Sequence, residues 1–247
     1  MSIESREELE ALKRAGRIVR MVLERMRRAV KPGITTAELD RIGGQVLREN
    51  GARSAPKLVY GFPADTLISV NDAAVHGIPG PRALCDGDLV KLDVTVEKDG
   101  FMADSAITVP VGTVPEHRLR LISAARAAFG KAMEVARPGV RVNELGRAIE
   151  AEVHSRGLQV VRELAGHGIG RTIHEPPSVP NYYVASDRST LKEGMVIAVE
   201  PIVAERSARM MEDADGWTVR TRDGGFTAHY EHTVVITRGR PLLLTAA

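Results

Sequence analysis

An internal repeat constrains the fold of this 247-residue chain more than any other feature of its sequence. The segment KPGITTAELDRIGGQVLRENG at 31–51 resembles RPGVRVNELGRAIEAEVHSRG at 137–157, at an offset of about 106 residues. A second match, DGDLVKLD at 86–93 with EGMVIAVE at 193–200, follows with a slip of one residue. Solenoid repeats are only about 20–50 residues long, so this period indicates a duplicated half-domain. We expect two helix-then-strand halves related by a pseudo-twofold axis.

Length and composition predict one compact domain. No linker rich in Ser, Pro or Gly divides the chain, and each half is too small to bury a good core alone. We predict a single domain over 1–247, with pseudo-repeats at roughly 5–112 and 113–240. The formal net charge of +2 argues against a protein built mainly to coat nucleic acid.

The single cysteine, Cys85, excludes an internal disulfide and a Cys-rich zinc module, and it favours a reducing compartment. We expect Cys85 to be a small buried side chain and not a nucleophile. No apolar run approaches the eighteen or so residues of a membrane span, and the N-terminus is charged where a signal peptide is apolar. The sequence predicts a soluble, cytoplasmic protein.

Apolar periodicity predicts alternating helices and strands. Helices are predicted at 5–30, 36–50, 116–136 and 142–156. Strands are predicted at 66–71, 88–97, 101–109, 159–164, 195–204, 217–221 and 226–237. Asp99-Gly100 is a hairpin signal between two of these strands. The pattern is typical of an α+β fold in which helices cover one face of a mainly antiparallel sheet.

Five side chains that can bind a metal lie in short apolar, strand-like segments: Asp93, Asp104, His167, Glu200 and Glu231. A buried carboxylate is tolerated only if it is paired or bound to a cation, so either these acids hold an ion or each has a basic partner. Four carboxylates, one imidazole and no thiolate suit two divalent cations with two bridging carboxylates. Mn, Fe(II), Co and catalytic Zn all fit this ligand set. A two-metal site predicts hydrolysis.

The segments SVNDAAVHGIPG, VKLDVTVEKDGFMADSA, LAGHGIGRTIHEPPSVPNY, AVEPIV and AHYEHTVV together resemble the type I methionine aminopeptidases of peptidase family M24. The resemblance runs from about residue 5 to residue 240. It implies the pita-bread fold, in which two pseudo-symmetric halves form a curved, mainly antiparallel sheet covered by helices around a dinuclear metal centre. By this resemblance Asp104 and Glu231 bridge the two ions, Asp93 completes one, and His167 with Glu200 completes the other.

The resemblance also implies catalytic roles for three residues. His76 would lie by the scissile amide, His174 would donate to the substrate carbonyl oxygen, and Glu200 would carry a proton from the nucleophile to the leaving amine. Hydroxide held by two ions of Co, Mn, Fe(II) or Zn would attack the first peptide carbonyl. The expected substrates are nascent polypeptides whose second residue is small.

An apolar pocket for the methionine side chain is implied as well. The substrate-binding positions fall on His76, His174, Val59, Phe62, Leu67, Ile173 and Trp217. The chain departs from the commonest bacterial pattern: Ile173 stands where an aromatic is frequent, and Pro56 and Leu67 stand where cysteines often occur. These departures affect the expected shape of the pocket and not the metal chemistry.

Other members of the same fold group remain as alternatives. Type II enzymes resemble this core but carry a large helical insertion between the two glutamates, whereas only about thirty residues separate Glu200 from Glu231 here. A non-catalytic pita-bread protein that binds peptides or the ribosome would generally lack metal ligands, and all five are present.

Partners are predicted mainly by charge and by the resemblance. The first helix is basic and could bind the ribosome, although a charge-rich helix is usually a solvated face; its basic residues are Lys13, Arg14, Arg17, Arg20, Arg25, Arg27, Arg28 and Lys31. The resemblance suggests a monomer. We expect neither membrane association nor specific recognition of nucleic acid.

Overall fold

The computed structural model describes residues 1–246. Its helices are α1 (Arg6–Ala29), α2 (Thr36–Glu49), α3 (Ala55–Tyr60), α4 (Glu116–Val135) and α5 (Val142–Ser155). Its strands are β1 (Arg53–Ser54), β2 (Leu67–Val70), β3 (Ala73–Val75), β4 (Leu89–Lys98), β5 (Phe101–Pro110), β6 (Gln159–Val160), β7 (Ala165–Gly168), β8 (Glu175–Pro180), β9 (Val196–Val199), β10 (Ile202–Ala204), β11 (Met210–Glu212), β12 (Val219–Thr221), β13 (Thr227–His229), β14 (His232–Val235) and β15 (Leu242–Leu243).

The four long helices match their predicted positions to within a residue or two. Helix α1 begins after Ser5, whose side chain accepts a hydrogen bond from the Glu8 backbone N–H at 3.2 Å. The short helix α3 was not predicted, because six residues are too few for an apolar period to be recognised. No helix within residues 1–246 is long and apolar enough to cross a membrane.

The predicted hairpin is confirmed. Strands β4 and β5 pair antiparallel, and both turn residues have positive φ, 52° at Asp99 and 83° at Gly100. That combination is the type I′ turn that an Asp-Gly pair favours. Thr95 pairs with Asp104 in this ladder, and Asp93 lies two residues from Thr95. Side chains two residues apart share a face of a strand, so the turn brings both aspartates to one face.

Two of the predicted strands are wrong in the same way, because each is broken at a glutamate. The segment 195–204 divides into β9 and β10 at Glu200-Pro201, and 226–237 divides into β13 and β14 at Tyr230-Glu231. In each case the chain changes sheets at the break, since β9 pairs with β14 whereas β10 pairs with β13. The backbone of Pro201 has no N–H to continue a ladder.

The remaining differences concern short strands. The predicted strand 159–164 is reduced to β6, and strand 217–221 is reduced to β12. Unpredicted strands include β8, which pairs with β7, and β11, which pairs with β12. Cys85 is exposed, and not buried as expected, because it lies in the turn before β4, where its carbonyl accepts from the Asp88 N–H.

The predicted α+β architecture is confirmed, and every strand pair in the described residues is antiparallel. One sheet has the order β15-β14-β9-β7-β8, and another contains β1, β4 and β2 with β5 paired to β4. Apolar residues of α1 and α2 pack on the sheet of the first half. Those of α4 and α5 pack on strands of the second half.

The repeat read from the sequence also appears in the hydrogen bonding. The Gly33 N–H donates to the Leu84 carbonyl at 2.7 Å, and the equivalent Gly139 N–H donates to the Leu191 carbonyl at 2.9 Å. Both glycines have a φ of 89°, a left-handed conformation that glycine adopts without strain. The two halves therefore connect their second helix to their sheet through the same turn.

A seam of hydrogen bonds joins the halves along β5. The Asp104 N–H donates to Thr233 Oγ1 at 2.8 Å, and the Thr233 hydroxyl donates to the Asp104 carbonyl at 2.8 Å. The Glu231 N–H donates to the Ala106 carbonyl at 2.9 Å. This seam holds Asp104 of the first half against the strand break that carries Glu231.

Candidate metal centre and active site

All five residues predicted as metal ligands line one cavity of about 250 Å³ between the halves. Strands β4 and β5 supply Asp93 and Asp104, and β7 supplies His167. The breaks after β9 and before β14 supply Glu200 and Glu231. One ligand atom from each of Asp104, His167 and Glu231 lies within 4.8 Å of the others. The sequence prediction named these residues, and the tertiary structure brings them together.

The carboxylates of this cluster are strongly perturbed. Burial is the largest cause and raises the pKa of Asp93, Glu200 and Glu231 well above the usual range, and the charge of Asp104 raises all three further. Burial also raises the pKa of Asp104 itself. Like charges in a dry cavity cannot all ionise without a compensating cation.

No Lys or Arg within residues 1–246 lies at ion-pair distance from these four carboxylates. Glu200 and Glu231 lie within 4 Å of His167 or His229, and burial lowers the pKa of both histidines. The alternative that each acid has its own basic partner is therefore wrong. Asp104 Oδ1 and Glu231 Oε1 are buried and have no hydrogen-bond partner. Buried polar atoms are otherwise nearly always paired, so this donor set fits a bound divalent cation.

A sixth residue of the cavity, His229, was missed in the sequence. It is only 2% exposed, and its Nε2 lies 3.7 Å from Glu200 Oε2 and 3.6 Å from Glu231 Oε2. Burial, followed by the nearby His76, lowers the pKa of His229 to about 3, so the imidazole is neutral. The sequence offers one indication that His229 lies in the cavity, which is its position two residues before Glu231. Residues two apart share a face of a strand, and segment 226–237 was predicted as one continuous strand.

The two predicted catalytic histidines line the same cavity. His76 has a φ of 57°, a left-handed conformation that is uncommon for a residue with a side chain and that tends to occur at functional sites. Burial and the neighbouring His174 lower the pKa of His76. Burial, with the nearby His167, lowers the pKa of His174. Both rings are therefore neutral at pH 7.

His174 is held by an aromatic neighbour that was not predicted. The Tyr60 hydroxyl lies 2.5 Å from His174 Nδ1, and the rings of His167 and His174 meet edge to face with centroids 4.2 Å apart. The loop before His174 is ordered by Glu175, whose Oε1 accepts from the Arg171 and Thr172 N–H groups at 2.8 Å each.

A smaller cavity of about 90 Å³ adjoins His76, His174 and the two aspartates. Its apolar and aromatic walls are Pro56, Tyr60, Phe62, Leu67, Ile173 and Trp217. The rings of Phe62 and Trp217 meet edge to face at 5.1 Å. Four of the five predicted pocket positions thus line this cavity.

The exception is Val59, which is 43% exposed and does not line the cavity. Successive helix residues point about 100° apart, and in α3 it is the half-exposed Tyr60, and not Val59, that reaches the cavity. Tyr60, the neighbour of Val59, thus lines the cavity. The sequence analysis did not name Tyr60, because it did not recognise the short helix α3 that sets the direction of these side chains.

Comparisons with known proteins agree with this geometry. The family model of metallopeptidase family M24 matches residues 10–238. The chain is similar to methionine aminopeptidase 2 of Bacillus subtilis, at 44% identity over 99% of each chain. It is also similar to a methionine aminopeptidase of Staphylococcus epidermidis, at 41% identity over 99% of this chain and 98% of that one. The crystal structure of a methionine aminopeptidase from Thermotoga maritima superimposes with a TM-score of 0.96, at 34% identity and full coverage of both chains.

Proposed function

The chain belongs to metallopeptidase family M24 as one of its methionine aminopeptidases, and on that premise we propose how its residues remove an N-terminal methionine. The substrates are nascent polypeptides whose second residue is small. The observation that carries the proposal is the convergence of four carboxylates and His167 on one cavity, with no Lys or Arg of the described residues paired to them.

Divalent metal use follows from the family, and we propose two ions per chain. By the family resemblance Asp104 and Glu231 would be shared between them, Asp93 would help to hold one, and His167 with Glu200 would help to hold the other. Asp104 Oδ1 and Glu231 Oε1, which are buried without a hydrogen-bond partner, support a shared role for the two residues. When bound, the ions activate water at neutral pH and polarise the scissile carbonyl. Mn, Fe(II), Co and Zn all suit this donor set.

His174 is the donor to the substrate carbonyl oxygen. For the proton of the neutral ring to lie on Nε2, Nδ1 must accept from the Tyr60 hydroxyl, which lies 2.5 Å away. An N–H in this position stabilises the negative charge that develops on the oxygen during attack.

His76 and Glu200 act on the amide and on the transferred proton. His76 is fixed by its backbone conformation at the wall shared by the two cavities and contacts the scissile amide. Glu200, whose carboxylate lines the same cavity, carries the proton from the nucleophile to the leaving amine.

The smaller cavity receives the methionine side chain. Its walls are apolar and aromatic, and aromatic edges such as those of Phe62 and Trp217 interact favourably with a thioether sulfur. A pocket of this kind discriminates one methylene by only about 1–3 kcal/mol. The closest apolar analogues of methionine therefore remain weak substrates.

The test is methionine release from a Met-Ala-Ser peptide by chelator-stripped protein, before and after addition of Co(II), Mn(II) or Fe(II). We expect release only with metal, and at least a hundredfold loss in Glu200→Gln and His76→Ala. An N-acetylated copy of the peptide is the control, since an aminopeptidase needs the free amine. Failure of every metal to restore release, or equal cleavage of the acetylated peptide, contradicts the proposal.

We also propose that helix α1 binds the ribosome and that the enzyme acts as a monomer. Lys13 pairs with Glu10, and Glu24 pairs with Arg27 and Arg28. The helix still carries exposed basic residues that have no ion pair within residues 1–246, namely Arg14, Arg17, Arg20 and Arg25. Free cations on one exposed helix suit a polyanionic partner.

Co-sedimentation with ribosomes tests this surface. Binding should weaken with salt, and it should fall at least tenfold in the double variant Arg17→Glu, Arg20→Glu. The matched control is the double variant Arg206→Glu, Arg209→Glu, which makes the same change of charge at two exposed arginines between β10 and β11. Binding that the double variant leaves intact excludes α1 as the contact.

A further inference from the structure

His229 has no explained role in the ligand set described above. Both of its ring nitrogens are buried and lack a hydrogen-bond partner in the described residues. Leaving a buried polar group unpaired costs about 1–3 kcal/mol. We propose that His229 is a sixth protein ligand of the metal centre, binding through Nε2 beside Glu200 and Glu231; the proposal rests on the proposed function and extends its ligand set.

The distances distinguish a ligand from a hydrogen-bonding neighbour. His229 Nε2 lies 3.7 Å from Glu200 Oε2 and 3.6 Å from Glu231 Oε2, which is too far for hydrogen bonds. Two ligand atoms that bind one ion at about 2.0–2.2 Å are roughly 3–3.7 Å apart at angles between 90° and 120°. The observed separations therefore suit neighbouring ligands of a shared ion.

The accepted ligand in the same cluster has the same geometry. His167 Nε2 lies 3.7 Å from Glu200 Oε1, and His229 Nε2 lies at the same distance from the other oxygen. The Glu200 carboxylate is thus flanked by two imidazoles, one facing each oxygen. His229 therefore lies beside Glu200 at the same distance as His167, and it is equally well placed to bind an ion that Glu200 holds.

The backbone of His229 is fixed by the seam between the halves. The His229 N–H donates to Thr108 Oγ1 at 2.8 Å, and the His229 carbonyl accepts from the same hydroxyl at 2.9 Å. These two hydrogen bonds restrict the movement of the backbone at His229. Glu231, two residues further on, is held to β5 by its own N–H. A ligand held on a rigid strand is pre-positioned for its ion.

A second imidazole changes which ions the centre prefers. Imidazole nitrogen suits Zn, Co and Fe, whereas carboxylate-only sites suit Mn and Mg. His229 therefore shifts the selectivity of the centre away from Mn(II). Its replacement by an oxygen donor should narrow the difference in affinity between Co(II) and Mn(II).

Metal binding to the chelator-stripped protein tests the proposal without reference to peptide cleavage. Calorimetric titration with Co(II) gives affinity and stoichiometry, and X-ray absorption of the loaded protein counts the coordinated imidazoles. We expect two imidazoles per chain in the wild type and one in His229→Leu, with affinity for at least one ion reduced about tenfold or more. His229→Gln keeps a polar atom of similar reach and is the second variant, to be used if His229→Leu fails to fold. It should also show one coordinated imidazole per chain.

The exposed His117→Gln is the matched control and should bind as the wild type does. Unchanged imidazole count and affinity in both His229 variants would overturn the role of His229 while leaving the aminopeptidase intact. Absence of Co(II) binding to the wild type would instead contradict both the metal centre and the proposed function.

Discussion

At the scale of single residues, Tyr60 is the side chain placed to select the tautomer of His174. It is the only group that the structure places in hydrogen-bond contact with the His174 ring within the described residues, at 2.5 Å from Nδ1. A hydrogen bond to one ring nitrogen selects the tautomer and so decides what the other nitrogen can do.

Replacement of Tyr60 by Phe should lower kcat/KM for Met-Ala-Ser about three- to tenfold, because His174 then populates the wrong tautomer. His174→Ala, which removes the donor itself, should lower it further. Steady-state kinetics of the metal-loaded variants measure both effects. Tyr182→Phe, whose hydroxyl lies away from both cavities, is the control; equal kinetics for Tyr60→Phe and the wild type would show that Tyr60 does not set the tautomer.

His232 is a buried histidine whose role is structural. Its Nδ1 lies 2.8 Å from Thr245 Oγ1 and its Nε2 lies 3.0 Å from the Tyr230 hydroxyl. Burial is the main cause that lowers its pKa to about 4. Because the unfolded chain has an ordinary histidine pKa of about 6.5, the unfolded state binds the proton first.

The stabilising contribution of neutral His232 is therefore complete above about pH 6.5 and is lost as the pH falls towards 4. In the presence of a chelator, protonation of His232 should lower the free energy of unfolding of the wild type by up to about 1.4 kcal/mol for each unit that the pH falls in this range. Denaturant unfolding of His232→Gln should show a shallower dependence over the same range. An identical pH dependence in the variant and the wild type would contradict this assignment.

At the scale of elements, the equivalent helices α2 and α5 of the two halves differ in how their N-termini are capped. Helix α2 begins with a capping box, in which Thr35 Oγ1 accepts from the Glu38 N–H and the Glu38 carboxylate accepts from the Thr35 N–H. The equivalent helix α5 begins after Arg141, which makes no side-chain cap although Glu144 stands at the matching position.

Thr35→Ala should lower the free energy of unfolding by about 1 kcal/mol, because the cap satisfies an otherwise unpaired N–H. Arg141→Thr should raise it by a similar amount, since the backbone at Arg141 is already extended and Glu144 can complete the box. Urea unfolding of the two variants gives both values. Arg141→Ala serves as the control and should change little; a loss of stability in Arg141→Thr would show that the repeats differ at this turn.

The breaks at Glu200 and Glu231 are the elements that matter most for the site. Within a regular strand each glutamate would alternate in or out with its neighbours, whereas at a change of sheet it can point into the gap between sheets. The strands on the two sides of each break pair in different sheets, β9 with β14 and β10 with β13. The breaks therefore connect the two sheets and also present the carboxylates of Glu200 and Glu231 to the cavity.

At the scale of the molecule, we propose that the two halves form one cooperative domain. A cluster of buried apolar residues combines Leu12 and Phe101 of the first half with Ile169 and Val235 of the second. The seam along β5 adds hydrogen bonds between the halves.

Unfolding should therefore be a single transition in which tryptophan fluorescence and far-UV circular dichroism coincide. The chain has one tryptophan, Trp217 of the second half, whose ring packs on Phe62 of the first half, so its signal reports the contact between the halves while the circular dichroism reports both. Added Co(II) should raise the midpoint, because the ion binds only the folded cavity. Two separated transitions, with the fluorescence following only one, would show that the halves unfold independently.

The sequence by itself determined what local patterns can encode. The repeat, the long helices and the Asp-Gly hairpin depend on periodicity and turn chemistry, and buried acids in apolar strands indicated a cation whatever their neighbours. Motif resemblance added the family. Only the tertiary structure decided the sheet changes at Glu200 and Glu231, the contact of Tyr60 and not Val59 with the small cavity, and the position of His229 beside two carboxylates. These depend on which strands and helices become neighbours across the pseudo-twofold seam, and no local sequence pattern specifies long-range neighbours.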